Sequence, residues 1–512
     1  MLVKTYGSAV QGIDAITVSV EAHITAGIRY YIVGLPDNAV KESLRRIETA
    51  LVSAGFRMPR QKIVINLAPA DIRKEGSAYD LAIAIAILAS SGQLVSDKLS
   101  RFILLGELSL DGSIQPVKGA LPVALQARRE GFTGLILPKA NTREAAVVAP
   151  LEVYGMENIR EVTDFISGTS EPTPTTVNIK HTLTHDSCCY DTDFADVRGQ
   201  EHIKRALEIA AAGGHNAVLI GPPGSGKTML AKRLPTILPP LNFEESLETT
   251  KIHSVLGKVT NAAPLMTRRP FRAPHHTISD VALVGGGTNP QPGEISLSHH
   301  GVLFLDELPE FRRSVLEVMR QPLESRQITI SRARFSVTYP SSFMLIAAMN
   351  PCPCGFHNHP GKQCSCNPGV VQKYLGRVSG PLMDRIDLHI EVAPVDFSRL
   401  ASSQAAEKSA TIRQRVINAR NIQTHRFASR AGIYCNAQMN ARLVREICIL
   451  DDTGRELLKT AMERLGLSAR AYDRILKVAR TIADMDSSPD IGVQHLAEAI
   501  QLRSLDREDW IN

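Results

Sequence analysis

The sequence predicts a multidomain α/β protein: an N-terminal α+β domain with a mixed sheet, an α/β core around a phosphate-binding loop, and a helical C-terminal segment. Three observations point there. The 512 residues exceed what one hydrophobic core usually holds, and a prior of roughly 150 residues per domain suggests three. Strand-like and helix-like runs alternate up to about residue 168 and again from Phe194 to about Pro394, whereas residues 396–512 are almost wholly helical in pattern. The strand AVLI, residues 217–220, runs into GPPGSGKT and the helical MLAKRL, the strand, loop, helix order a phosphate loop needs.

Within residues 1–168, the strand-like runs AITVSVEAHI, YYIVGLP, KIVINLAP, RFILLGEL and GLILP alternate with the helical NAVKESLRRIETALVSAG, AYDLAIAIAILASSG and LPVALQARREG. Residues 169–191, rich in Thr, Pro and Ser with no helical period, read as a linker to a core at 192–395 and a helical lid at 396–512. Hydrophobic content of 44% and charged content of 21% fit an ordinary globular protein and argue against long disorder. The N-terminus MLVKTYGSAVQGIDAITVSV lacks the apolar run of a signal peptide. The longest apolar stretch, Leu81 to Ala89, has nine residues, against the roughly 20 that a membrane span needs. The expectation is a cytoplasmic chain with no membrane span.

The loop Gly221, Pro222, Pro223, Gly224, Ser225, Gly226, Lys227 and Thr228 predicts binding of ATP with Mg²⁺. Its glycines let backbone N–H groups close on phosphate oxygens, Lys227 neutralises the β and γ charges, and Thr228 offers a hydroxyl to the metal. In GVLFLDELPEF, Asp306 and Glu307 follow a buried apolar strand. There Asp306 can hold the Mg²⁺ shell and Glu307 can polarise the attacking water, so the pair signals hydrolysis as well as binding. The next apolar strand, FMLIAAMN, ends at Asn350. That places Asn350 to orient the water as the sensor 1 residue of AAA+ proteins would, against a plain strand-end cap.

Two arginines complete the site by resemblance. GPLMDRIDLHI is similar to the arginine-finger segment of AAA+ helicases, which would make Arg385 a finger reaching the ATP of a neighbouring subunit. LSARAYDRILKVARTIADM resembles the sensor 2 helix of the AAA+ lid, with Arg470 at the matching position and Arg474 nearby. A salt bridge is the competing reading for both. RPFRAPHHTISDVALVGGG, PGEISLSHHGVLFLDELPEF, AAMNPCPCG and SGPLMDRIDLHIEV resemble the Mg-chelatase-like AAA+ proteins of the ComM/YifB type. Residues 1–168 resemble that family's N-terminal domain, which has the Lon-protease-like fold. The resemblance implies a hexameric DNA helicase driving branch migration during natural transformation. Lon-type proteases carry a Ser nucleophile in a GPSAG turn and a Lys after a GQVLPIGG-like hairpin; EGSAYDL and DGSIQPVKGAL put Ala78 and Leu121 at those places. A shifted pairing of Ser77 with Lys74 or Lys118 is the remaining route to a protease nucleophile.

Four of the eight cysteines fall between positions 352 and 366 in PCPCGFHNHPGKQCSCNPG. The pairs Cys352/Cys354 and Cys364/Cys366 stand nine residues apart across a Gly/Pro-rich turn, which predicts a structural zinc held by thiolates. His357 or His359 could replace one cysteine, and four reduced thiols are the alternative.

No acidic residue occurs from Lys251 to Ser279 or from Ser325 to Met383, where about nine would fall at the chain's average acidic content. By resemblance, both windows lie where related motors insert β-hairpins into a ring pore. The expected DNA contacts are Arg268, Arg269, Arg272, Arg332 and Arg334, tracking the phosphate backbone of single-stranded or branched DNA irrespective of sequence. A homo-oligomer, a hexamer by resemblance, is the expected assembly. The runner-up reading is a chelatase-type motor that remodels a protein partner; by family resemblance such motors lack the N-terminal domain and the CxC…CxC loop.

Overall fold

A computed structural model describes residues 2–179, 182–183, 190–287, 290–332, 335–357, 359, 361–394, 406–430 and 432–503. The chain divides into two compact units. One comprises Met1–His185 with Asn242–Thr267, the other Asp186–Leu241 with Arg268–Asn512.

The first unit is built on β1 (Leu2–Gln11), β2 (Asp14–Thr25), β3 (Tyr30–Val33), β4 (Lys62–Ala68), β5 (Phe102–Leu104), β6 (Gly134–Pro138) and β7 (Glu152–Met156). They form one sheet in the order β3-β4-β2-β1-β5-β6-β7. β2 pairs antiparallel with β1 and β4, and the other neighbours run parallel, so the sheet is mixed, as the sequence predicts. Alternate residues face opposite layers. Phe102 and Leu104 join the core holding the helices Asn38–Ser53 and Asp80–Ser90, while Ile103 faces the helix Ala120–Arg129. The nine-residue apolar run lies in the helix Asp80–Ser90, buried at every position, and so is a core helix.

The segment Asn242–Thr267 falls inside the span read as core, yet its packing partners are in this first unit. Asn242 and Glu245 form a capping box that starts the helix Phe243–Val255. Leu247 packs on the cluster around Ala120–Arg129, Lys251 pairs with Asp14 at 2.7 Å, and the Gly119 N–H donates to the Ser254 carbonyl at 3.1 Å.

The second unit contains β8 (Ala217–Ile220), β9 (Phe271–Arg272), β10 (Val302–Leu305), β11 (Gln327–Arg332), β12 (Phe335–Pro340), β13 (Met344–Met349) and β14 (Leu388–Glu391). An all-parallel sheet runs β9-β10-β13-β8-β14. β8, β10 and β13 are buried throughout, which explains why their sequences are continuous apolar runs without alternation. β11 and β12 pair antiparallel, Arg332 opposite Phe335, as a hairpin entering β13. The C-terminal part is helical over Ser409–Arg426, Ala441–Ile447, Asp452–Leu465, Ala469–Met485 and Val493–Gln501, with Asn440, Asp451 and Ser468 as side-chain N-caps. The parallel sheet and the helical C-terminus are the α/β core and helical segment that the sequence predicts. No described helix is long and apolar enough to cross a membrane.

Candidate functional site

The phosphate loop leaves the carboxyl end of β8, which lies between β13 and β14. From β8 the chain crosses to β9 at one edge and finally returns to β14 at the other, opening a crevice at this switch point. The Gly221 N–H donates to the Met349 carbonyl at 3.2 Å, and a Cβ on Gly221 would lie 2.2 Å from the Val392 carbonyl oxygen, so only glycine permits that approach. Gly224 and Gly226 have φ of +76° and +88°, which L side chains rarely adopt.

Lys227 Nζ donates to the carbonyls of Gly221 (2.7 Å) and Pro222 (2.9 Å) and to Asn350 Oδ1 (3.1 Å). Burial lowers its pKa from the ordinary lysine value, with Asp306 and Glu307 pulling the other way. The Ser225 hydroxyl is buried with no hydrogen-bond partner among the described residues, and an orphan donor inside this cradle fits a phosphate oxygen. Thr228 Oγ1 donates to Asp306 Oδ2 at 2.6 Å, so the hydroxyl and carboxylate expected to share a magnesium ion already meet. The Glu307 N–H donates to Asp306 Oδ1 at 3.0 Å, and the left-handed backbone at Glu307 turns its carboxylate outward to within 3.5 Å of His276 Nδ1. The structure thus brings Lys227, Thr228, Asp306, Glu307 and Asn350 to one crevice. Sequence reasoning missed Gln200, whose side-chain amide donates to the Ser225 carbonyl at 2.9 Å and braces the loop; nothing but the turn Gly199–Gln200 before a helix hinted at it.

The two resemblance-based arginines lie differently. Arg385 is only 5% exposed, pairs with Glu324 at 2.5 Å and donates to the Pro381 carbonyl at 2.6 Å. Here its guanidinium is held by its own chain, the salt-bridge alternative, and is not displayed to a neighbour. Arg470 is exposed at the second position of the helix Ala469–Met485. Arg474, one turn on, pairs with the buried Asp387, which also accepts from the Asn216 N–H at 2.9 Å.

The four cysteines converge, every sulfur within 4.8 Å of the others. Cys352 Sγ lies 3.3 Å from Cys354 Sγ and 3.8 Å from Cys364 Sγ, and Cys354 and Cys364 are 3.6 Å apart. Sulfurs at about 2.3 Å from a tetrahedral zinc lie about 3.8 Å from one another, whereas a disulfide needs about 2.05 Å. Burial pushes the Cys354 thiol up, but the N–H groups of Phe356 and Ser365 and the neighbouring thiols outweigh it and bring it down to about 5. Against a favourable Cys366 N–H, burial and the neighbouring sulfurs push Cys364 up to about 11. The lowered Cys354 thiol thus opposes ionisation of Cys364, and a bound divalent cation would offset that repulsion. The donor set is compatible with a structural zinc that leaves no open position, and His357 and His359 are not needed to complete it.

The basic windows separate. The second holds the β11–β12 hairpin, with Arg332 at the end of β11; the Arg332 side chain and Arg334 lie outside the described residues. The first holds no described hairpin and corrects that expectation. A short pairing of Gly285–Gly286 with Gln291–Pro292 follows it, built on a run of positive-φ glycines at 285–287. Arg269 donates to the carbonyls of Pro239 (2.7 Å), His300 (2.7 Å) and Pro240 (3.3 Å), and Arg272 forms a two-bond pair with Glu294 at 2.5 and 2.7 Å. Both act here as internal struts. Arg268 stacks on Tyr190, its guanidinium carbon 5.5 Å from the ring centre. Phe271 is half-buried and stacks on Phe304, and Tyr339 is fully buried.

In the first unit, Leu121 is wholly buried, Ser77 hydrogen-bonds Glu107, and the buried Lys74 is tied to the Pro69 carbonyl. The Ser77 hydroxyl is thus paired with Glu107 and Lys74 with a carbonyl, so the two members of that shifted pairing are not joined.

Fold and site together define a phosphate-loop ATPase core of the chelatase type, and comparison with known proteins agrees. Models described as "Magnesium chelatase, subunit ChlI", "Subunit ChlI of Mg-chelatase" and "Magnesium chelatase, subunit ChlI C-terminal" match residues 193–400, 20–141 and 406–503. The chain is 44% identical to the protein YifB of Salmonella typhimurium, over 98% of this chain and 96% of that one. It is 43% identical to the competence protein ComM of Haemophilus influenzae, over 99% and 98%. The chain belongs to the ComM/YifB family of Mg-chelatase-like AAA+ proteins. The magnesium-chelatase subunit ChlI of Chlorella vulgaris is 21% identical, over 45% of this chain and 70% of its own. A chelatase-named model also matches residues 20–141, which corrects the expectation that chelatase-type motors lack this domain, so the N-terminal domain does not separate the two readings. Family membership supports an ATPase motor.

Proposed function

We propose that the chain is a ring-forming, ATP-driven DNA translocase that remodels branched or displaced-strand DNA, acting on incoming DNA during natural transformation. The observation that carries this reading is the succession of β11–β12 and β13: a basic hairpin passes directly into the strand that ends at Asn350, beside Lys227. An element suited to phosphate contacts and a residue suited to sensing γ-phosphate are joined by one short connection. The relationship to a competence protein over nearly the whole chain supports the same reading.

In this scheme Lys227 and the N–H groups of the phosphate loop bind the triphosphate, Thr228 and Asp306 hold magnesium, Glu307 polarises the attacking water and Asn350 orients it. Arg470 contacts the nucleotide from the lid. Arg385 acts on the neighbouring subunit's ATP in a hexamer, which requires its pair with Glu324 to open on assembly. Arg332 and Arg334 track DNA phosphates, with Arg268 in support. The N-terminal unit has the Lon-like fold without a peptidase dyad and serves as a scaffold. A protein-remodelling motor is the second reading, favoured by the chelatase-named matches along the chain.

Stimulation of ATP hydrolysis by single-stranded and forked DNA tests the proposal. Stimulation that disappears in Arg332→Glu/Arg334→Glu supports it. A turnover rate indifferent to DNA favours the protein-remodelling motor.

A further inference from the structure

The cysteine knuckle touches the nucleotide loop at Gly355 and is joined to it in sequence through Asn350. The knuckle starts two residues after Asn350, whose side chain accepts from Lys227 at 3.1 Å. Its first turn is closed by the Gly355 N–H donating to the Cys352 carbonyl at 3.0 Å, and Cys352 is wholly buried although it lies in a loop. Gly355 has φ +82°, and a Cβ placed there would stand 2.4 Å from Pro223 Cδ, so the turn rests directly on the phosphate loop. After the knuckle, the helix Pro368–Leu375 brings the Tyr374 hydroxyl back near the backbone N–H of Asn350.

We infer that a metal ion held by Cys352, Cys354, Cys364 and Cys366 clamps the nucleotide site: it fixes the Cys352–Gly355 turn as a backstop for Pro223 and holds Asn350 against Lys227. The inference rests on the nucleotide-binding reading of the GPPGSGKT loop. The knuckle has little apolar material of its own, chiefly Phe356 against His359 and Lys362. A cross-link by four ligands is what opposes the conformational entropy of such a Gly/Pro-rich segment. With all four positions filled by sulfur, the ion takes no part in hydrolysis. Its effect is on how well the phosphate loop is preorganised, and therefore on nucleotide affinity. Gly355 is a positioning residue, and a side chain there pushes the turn off Pro223 without touching a ligand.

The test uses the full-length protein, with zinc content measured by elemental analysis and affinity for a fluorescent ATP analogue measured with magnesium present. The expected result is one zinc per chain, and a dissociation constant raised about tenfold or more when zinc is stripped with a zinc-selective chelator. Gly355→Val strains a left-handed position and lowers the unfolding temperature somewhat, and it is expected to raise the dissociation constant similarly while zinc content stays at the wild-type value, a combination that loss of the knuckle's structure does not produce. Wild-type affinity in the stripped protein and in Gly355→Val overturns the clamp, as does a wild-type chain that binds no zinc. A zinc-loaded wild type that binds no ATP overturns the nucleotide reading itself, and the clamp with it.

Discussion

Replacing Arg474 by alanine leaves the Asp387 carboxylate buried without its cation. The Asp387 side chain is 2% exposed; beside Arg474 it has the Asn216 N–H at 2.9 Å and His215 Nδ1 at 3.6 Å. Burial alone would raise its pKa, but Arg474 and His215 outweigh burial and hold it well below the usual carboxylate range. Removing one partner of a buried ion pair costs about 3–5 kcal/mol. A depressed folded pKa contributes stability that is fully present above the unfolded value of about 3.9 and is lost as pH falls below it. The cost of Arg474→Ala is therefore expected in full at pH 7.5 and should shrink below about pH 4. Asp387→Asn with Arg474→Met removes both charges and should restore most of the loss. Urea unfolding, followed by hydrogen exchange in peptides from residues 190–241 and 268–503, reads the second unit separately from the first. A cost under about 1 kcal/mol, or a double variant as unstable as the single one, would refute the buried-pair account. Arg470→Ala at the exposed neighbouring position should change stability by less than about 0.5 kcal/mol while slowing ATP turnover, which separates a sensor from a strut.

Glu307→Gln should bind ATP normally and lose about 10²–10⁴-fold in phosphate release; continued hydrolysis would mean that another group polarises the water. Arg332→Glu with Arg334→Glu should weaken DNA binding at every sequence and reduce the logarithmic salt slope by about 1.4–1.8, read by fluorescence anisotropy at several salt concentrations. Unchanged affinity would remove the hairpin from the DNA path. In the first unit, burial raises the Asp80 carboxyl to about 6 despite its pair with Arg46. With the folded pKa above the unfolded one, this unit loses stability as pH rises from about 4 to about 6, by about 2–3 kcal/mol. Asp80→Asn should flatten that dependence in hydrogen exchange of first-unit peptides, and a retained slope would assign it to another group.

The features most legible in the sequence are those whose chemistry is local. GPPGSGKT, the Asp-Glu pair after an apolar run and the Asn at the end of the next strand are contiguous words, and the fold brings their side chains within hydrogen-bonding range. The paired CxC motifs behave likewise, because a short turn suffices to gather them. The strand β1 escaped notice because LVKTYGSAVQ mixes Gly, Ser and Lys into its alternation, and β7 because EVYGM is short and carries a glycine packed against Lys139. Charge counting does not foresee the internal partners of Arg269 and Arg272. A window free of acids says nothing about carbonyls from Pro239 and Pro240 or about Glu294, fifteen residues beyond its end, which is where those guanidinium groups point. The same holds for Asn242–Thr267: its helical pattern is plain, but which unit receives it depends on contacts with Asp14 and Gly119 that lie more than a hundred residues away in sequence.

The most direct test of the proposed function is ATP-dependent displacement of a labelled strand from a forked or four-way DNA junction, comparing wild type with Glu307→Gln. Displacement by wild type alone is the expected result. ATP hydrolysis by wild type without any displacement, on either substrate, would contradict a DNA motor and move the assignment to a motor that remodels protein.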